Sequence, residues 1–238
     1  MTSILEILFT AHDRVSAFLA KHFFLIKKLI LIVAHLSLFG FLFPEMRKDF
    51  GSYAIVVLLV LLFLSPVSKL LRARLLLQLM GLRRELGILM AYLATVHGVG
   101  YLIDPDWFSF LTTPYLMGDF FSISPRYLFG FGAYALTLPL VLTSNNLAQR
   151  SLGGKNWKRL HTLVYPLLVL ALFHKFLRPN GASVQDLLMP AFILLSYVVL
   201  KILAWKNIFS PLAKVIAWGA ARYHDYTDKK KESDGYLE

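Results

Sequence analysis

Residues 157–178, WKRLHTLVYPLLVLALFHKFLR, form an apolar segment of helix length with a histidine near each end. In hydrocarbon every backbone polar group must be satisfied internally, so such a segment can only be a helix. Ionisable groups at membrane depth are rare and mark a site by default. His161 lies just inside the basic end, and His174 lies just before Lys175 and Arg178.

The same apolar pattern recurs along the chain. Spans are expected at about 25–43, 53–67, 86–103, 127–143, 157–178 and 188–205. Each approaches the roughly 20 residues needed to cross about 30 Å of hydrocarbon, the second being somewhat short. The segments between them alternate in charge. Residues 68–85 carry Lys69, Arg72, Arg74, Arg83 and Arg84 against Glu85, and residues 143–159 carry Arg150, Lys155, Lys158 and Arg159 with no acid. Residues 104–126 are acidic and rich in aromatics, including Trp107, Phe108, Phe110, Tyr115, Phe120 and Phe121. The positive-inside rule then predicts an all-α integral membrane protein, a six-helix bundle with both termini cytoplasmic. Residues 1–24 read as an interfacial amphipathic helix, 25–206 as the membrane domain, and 207–238 as a cytoplasmic amphipathic helix opened by Ser210-Pro211, followed by a disordered tail. No internal repeat is evident, and the N-terminus does not read as a removable signal peptide.

Composition narrows the chemistry. The chain has 238 residues, 57% of them hydrophobic, and no room is left for a soluble domain beside the bundle. The net charge of +11 fits cytoplasmic loops facing membrane lipid rather than nucleic acid. There is no cysteine, which excludes disulfides, cysteine-ligated iron–sulfur clusters and covalently attached haem. Any haem must be held by other ligands and without a covalent bond.

Four of the seven histidines fall in or beside spans: His35, His97, His161 and His174. At 1.5 Å per residue, His97 and His174 come to similar depth in the outer half. Two imidazoles from two helices at one depth suit the axial clamping of a haem iron. They equally suit two buried histidines bonded to other helices. Gly98 and Gly100 leave backbone room beside His97. His161 lies about 20 Å from His174, at the inner boundary, and Trp157, Lys158 and Arg159 beside it suit haem propionates or lipid phosphate. Thirteen residues turn a straight helix by about 220°, so His161 and His174 would not share a face unless Pro166 kinks it. Arg83 stands 14 residues before His97, on nearly the same face of that helix. A guanidinium has no lone pair for iron, so Arg83 suits a propionate or marks topology. For His35, at mid-span, the reading is structural or quinone-proximal.

LRRELGILMAYLATVHGVGY and LTSNNLAQRSLGGKNWKRLHTLVYPLLVLALFHKFL, with AHLSLFGFLFP in span one, resemble the ferric reductase-like transmembrane family, and within it the MsrQ branch of bacterial haem-binding subunits. The likeness covers about residues 27–205. It implies a bundle holding one or two haem b groups, with FMN or quinone as further cofactors, in the inner (plasma) membrane. His97 and His174 would ligate an outer haem and His161 would belong to an inner site. Where classical members have a second histidine on span three, this chain has Arg83. No flavin- and nicotinamide-binding module follows span six, so electrons would come from a separate flavin reductase or a quinol. They would leave to an outer-side redox partner, for the MsrQ branch a periplasmic molybdenum enzyme that reduces methionine sulfoxide, docking on residues 104–126.

Other readings of the same residues are a quinone-linked cytochrome b anchor of another redox complex, a haem-free proton-coupled transporter or channel, and a scaffold subunit. The spans carry no carboxylate, which disfavours a proton relay.

Overall fold

The computed structural model describes residues 4–116, 124–177 and 183–206. Among them there is no strand. The helices are α1 (Ile4–Ser37), α2 (Arg47–Leu71), α3 (Arg74–Met80), α4 (Arg83–Leu102), α5 (Pro105–Leu116), α6 (Pro125–Leu142), α7 (Asn146–Leu160), α8 (Val164–Phe176) and α9 (Val184–Trp205), with 3-10 turns at Leu38–Leu42, Pro44–Met46 and His161–Leu163. The expected C-terminal helix and tail, and Arg178, Phe120 and Phe121, lie outside the described residues.

Four stretches are long and apolar enough to cross a membrane: Thr10–Leu42, Pro44–Leu71, Arg83–Leu102 and Val184–Trp205. Pro125–Leu142 with Asn146–Phe176, bent by 105° at the break, makes a fifth if counted as one span. The expected fourth span falls on α6 and the expected fifth, 157–178, on the end of α7, the 3-10 turn and α8, and α6 and α8 pack on each other. Helix α8 has 13 residues, about 20 Å, which is short of the hydrocarbon thickness of about 30 Å.

Local chemistry explains the other boundaries. The interfacial helix and the first span, read as separate, are one helix, because no glycine or proline interrupts residues 4–37. The aromatic loop begins as α5. Asp104 caps it, its Oδ1 accepting from the backbone N–H of Asp106 and of Trp107, and Pro105 occupies the first position. The basic connector after α6 becomes α7, capped by Asn145, whose side chain accepts from Ala148 N. Ser183 and Asp186 cap α9 reciprocally. Pro166 does not kink a continuous span. The 3-10 turn at His161–Leu163 precedes it, and Pro166 sits in the first turn of α8, where its missing N–H is not needed.

The chain divides into two compact units. Among the described residues one comprises 4–26, 63–82 and 198–206, and the other 27–62, 83–116, 124–177 and 183–197. In the first, Ser16 Oγ donates to Gln78 Oε1 at 3.0 Å and Gln78 Nε2 donates back to Ser16 O at 3.2 Å. In the second, Leu58, Val96, Leu167, Leu168 and Leu172 are fully buried. Glu85 is buried at the start of α4, with Lys27 Nζ and Arg84 Nε each 3.4 Å from Oε1. Arg47, at the start of α2, pairs with Asp104. The Arg47 guanidinium, then the Trp107 N–H, hold the Asp104 carboxyl below its ordinary value, so this link persists well below neutral pH.

Helix α7 is bent at Gly153, whose φ of 72° and ψ of 150° belong to glycine alone. Gly153→Ala meets no neighbouring atom, so its whole effect is backbone strain of about 1–3 kcal/mol. A lower midpoint of thermal unfolding in detergent is expected. An unchanged midpoint would show that the bend is not held in the folded protein.

Candidate metal centre

His97 on α4 and His174 on α8 face each other, with Nε2 atoms 3.5 Å apart and ring planes inclined at 65°. Each ring is fixed from behind in the same way. His97 Nδ1 lies 2.8 Å from Arg47 O, and His174 Nδ1 lies 2.9 Å from Arg126 O. A carbonyl can only accept, so each Nδ1 carries the proton and each Nε2 presents its lone pair. Two lone pairs then point at one another with no proton between them. That is an unfavourable arrangement for two bare imidazoles and the expected one for two ligands of a single metal. Metal-bound histidines characteristically donate their other N–H to a carbonyl or carboxylate.

The rings are seated on glycines. A Cβ at Gly51 would lie 2.7 Å from the His97 ring, and one at Gly130 would lie 2.6 Å from the His174 ring. Gly51 stands one helical turn after Arg47 on α2, and Gly130 one turn after Arg126 on α6. Each half of the centre thus comes from R-x-x-F-G: Arg47-Lys48-Asp49-Phe50-Gly51 and Arg126-Tyr127-Leu128-Phe129-Gly130. The carbonyl of the arginine orients an imidazole, and the glycine lets it approach. This is an internal repeat that the sequence reading missed.

Around the pair is a cavity of about 580 Å³, within the size range of cofactor pockets. Leu58, Met90, Ala94, Gly98, Ala133 and Leu167 supply apolar walls. Lys48, Arg126 and Lys175 bring cations to its edge, with Tyr101, Trp107 and Tyr127 nearby. Arg126 Nε is buried without a hydrogen-bond partner among the described residues. An unpaired guanidinium nitrogen beside an apolar cavity suits a carboxylate brought in by a ligand. The donor set, the opposed lone pairs, the glycine seats and the unpaired Nε of Arg126 fit a haem that the two imidazoles would hold.

The other expected site residues lie apart from this cavity. His161 stacks on Trp157 with ring centroids 4.0 Å apart. Trp157 Nε1 donates to Thr143 O at 2.9 Å. Thr143 Oγ1 donates to Pro139 O at 2.6 Å, so towards His161 Nε2, 3.2 Å away, it acts as acceptor. That commits the Nε2 proton of His161 and turns the face used by the outer pair away from a metal. Among the described residues His161 faces no second imidazole, and Arg83 is the charged group whose field reaches it. Lys158 and Arg159 are exposed on the last turn of α7. None of Arg83, Trp157, Lys158 or Arg159 lines the cavity. Of the two glycines expected to make room, Gly98 lines it, whereas Gly100 faces the Arg47 side chain. The residues missed by sequence reasoning were Lys48, Gly51, Arg126, Gly130 and Lys175. The repeated R-x-x-F-G was the available signal.

The sequence profile described as "Ferric reductase like transmembrane component" matches residues 50–172. The chain is 32% identical over 157 residues to the protein-methionine-sulfoxide reductase heme-binding subunit MsrQ of Cronobacter sakazakii, covering 65% of this chain and 75% of that one. It is 31% identical over 128 residues to MsrQ of Herminiimonas arsenicoxydans, covering 53% and 55%. It is 31% identical over 134 residues to the magnetosome protein MamZ of Paramagnetospirillum magneticum, covering 56% of this chain and 20% of MamZ. The chain therefore spans a fifth of MamZ and between about half and three quarters of these MsrQ proteins. No solved structure matches.

Proposed function

The chain belongs to the ferric reductase like transmembrane family, a multi-pass protein of the inner membrane, and on that premise we propose that it is a haem-binding subunit carrying electrons across the bilayer. The observation that carries this is the opposed pair of Nε2 lone pairs, each fixed by an Nδ1–H bonded to a backbone carbonyl. His97 and His174 would hold one non-covalent haem b through their Nε2 atoms. Arg126, with Lys48 and Lys175 at the cavity edge, would receive its propionates. When bound, the haem supplies reversible one-electron chemistry at iron. The protein's own part is to hold both imidazoles in one tautomer, to exclude water with α2, α4, α6 and α8, and to neutralise the propionate charge.

The same reading counts α6 and α8 as separate crossings, giving six spans with both termini cytoplasmic, as the alternation of basic and acidic connectors supports. Electrons enter from a cytoplasmic flavin reductase or from a quinol. They leave to an outer-side partner, for which the similarity to MsrQ supports a methionine sulfoxide reductase of the molybdenum type. Helix α5, next to the cavity's aromatic edge, is the surface that partner meets. One haem per chain follows from the chemistry of His161, whose Nε2–H is engaged by Thr143.

The test is a reduced-minus-oxidised spectrum of the purified protein, expressed with ample haem, together with haem quantified per chain. Soret and α bands of a low-spin b-type cytochrome at one haem per chain are expected. Absence of the bands would overturn the proposal, and two haems per chain would overturn its treatment of His161.

A further inference from the structure

The two arginines of the repeated R-x-x-F-G use their side chains differently. Arg126 lines the cavity, and Arg47 does not. Arg47 is 7% exposed and lies along the outer end of α4. Its Nη1 donates to Asp104 Oδ2. Its guanidinium carbon is 5.9 Å from the centre of the Tyr101 ring. Its stem lies against Gly100, where a Cβ would come 3.3 Å from Cδ. His97, Gly100, Tyr101 and Asp104 are spaced i, i+3, i+4 and i+7. They share one face of α4, whose helical bonding continues past Leu102 with Ile103 N–H donating to Val99 O at 2.9 Å. One side chain therefore follows that face outwards from the level of the ligand to the carboxylate that caps α5.

The backbone of Arg47 needs that anchor. Its carbonyl accepts from His97 Nδ1, yet it is the first residue of α2. The chain reaches it through two 3-10 turns and Phe43, with φ −122° and ψ 79°. The first turn of a helix carries unsatisfied N–H groups, and helix ends fray. The acceptor of the ligand's hydrogen bond is thus set in a turn that its own helix holds weakly. The side chain bonded to Asp104 holds it from the far side.

Charge acts in the same direction as position. The cavity lining contains Lys48, Arg126 and Lys175 and no carboxylate. Asp104 offsets the charge of Arg47, which lies behind His97. A firm bond from Nδ1–H makes an imidazole a stronger donor to a metal. That bond and a compensated Arg47 both favour the oxidised, more positive form of the centre.

We propose that Asp104 is a positioning residue for the His97 ligand, acting through Arg47, and that it sets the reduction equilibrium of the centre from the cap of α5. The proposal rests on the haem reading above.

The test is a potentiometric titration of the α band in the full chain, purified in detergent with haem supplied. Wild type is compared with Asp104→Asn and with Asp106→Asn. Asparagine caps a helix about as well as aspartate. Asp104→Asn therefore keeps an acceptor for the N–H groups of Asp106 and Trp107 and removes the charge that Arg47 meets. Asp106→Asn removes the same charge from an exposed side chain two residues on. Asp104 is seven residues from His97, about 10 Å along the helix. A unit charge at about 10 Å, with an effective dielectric constant of about 20, shifts an equilibrium about tenfold, and contact with solvent lowers this. The midpoint of Asp104→Asn is expected to rise by the equivalent of about three- to tenfold, about 30–60 mV for one electron, at the haem content of wild type. Asp106→Asn should stay within about twofold of wild type, because an exposed charge is screened by salt. Equal midpoints in all three proteins would overturn the proposal. An equal shift in both variants would also overturn it, since surface charge alone would then explain the result. Wild type without haem bands would overturn the haem reading instead, and amide hydrogen exchange then tests the anchor by itself. Faster exchange over residues 47–51 in Asp104→Asn than in Asp106→Asn would sustain it, and equal exchange would overturn it.

Discussion

Replacing His97 and His174 together by alanine is expected to abolish haem binding while leaving a folded, membrane-inserted protein. The two Nε2 atoms are the donors that converge on one point in the cavity, 3.5 Å apart. Removing an outer hydrogen-bond partner of a metal ligand already costs about 10–100-fold in affinity, so loss of a ligand itself should cost at least about 100-fold. The fold should survive, because each imidazole anchors the bundle by a single Nδ1–H bond, to Arg47 O or to Arg126 O. The core residues Leu58, Val96, Leu167, Leu168 and Leu172 are untouched. Each single variant should retain little haem, held by one imidazole and with a high-spin spectrum. His161→Ala should keep both the bands and the stoichiometry, since its Nε2–H serves Thr143. Difference spectra with haem quantified per chain decide the matter. Full bands in the double variant would remove the ligand assignment.

Gly51→Ala and Gly130→Ala are expected to act nearly as strongly, though neither residue can touch iron. The new Cβ would lie 2.7 Å from the His97 ring and 2.6 Å from the His174 ring, separations that real Cβ atoms do not adopt. The ring must move, and with it the Nδ1–H bond that fixes the tautomer. A fall of about 10–100-fold in haem affinity is expected, with a shift towards high-spin bands in whatever haem remains. Gly87→Ala, on the same helix as His97 and with no atom within 4 Å of the new Cβ, is the control and should behave as wild type. Equal haem content in the Gly51, Gly87 and Gly130 variants would show that the glycine seats do not govern the centre.

The two histidines could be found in the sequence because an imidazole in an apolar run stands out, and because depth follows from counting 1.5 Å per residue. Their supports could not be found that way. Arg47, Gly51, Arg126 and Gly130 lie on other helices, and only the packed bundle brings them to the rings. The cations expected at the inner boundary, Lys158 and Arg159, were suggested by adjacency to His161, whereas Lys48 and Lys175 reach the cavity from helix ends far apart in sequence. Helices α5 and α7 were read as connectors because their apolar periodicity is weak. Asp104-Pro105 and Asn145 were the signals available, and capping decided the outcome. Pro166 misled in the opposite sense. A proline inside an apolar run suggests a kink, yet here the helix starts anew just before it, so His161 and His174 do not share one straight axis.

The repeated R-x-x-F-G bears on how small such a centre can be. Each copy supplies one carbonyl and one bare backbone patch, and each serves one imidazole on one other helix. Each pair of helices thus carries one half of the site, and the opposed imidazoles need both halves at once.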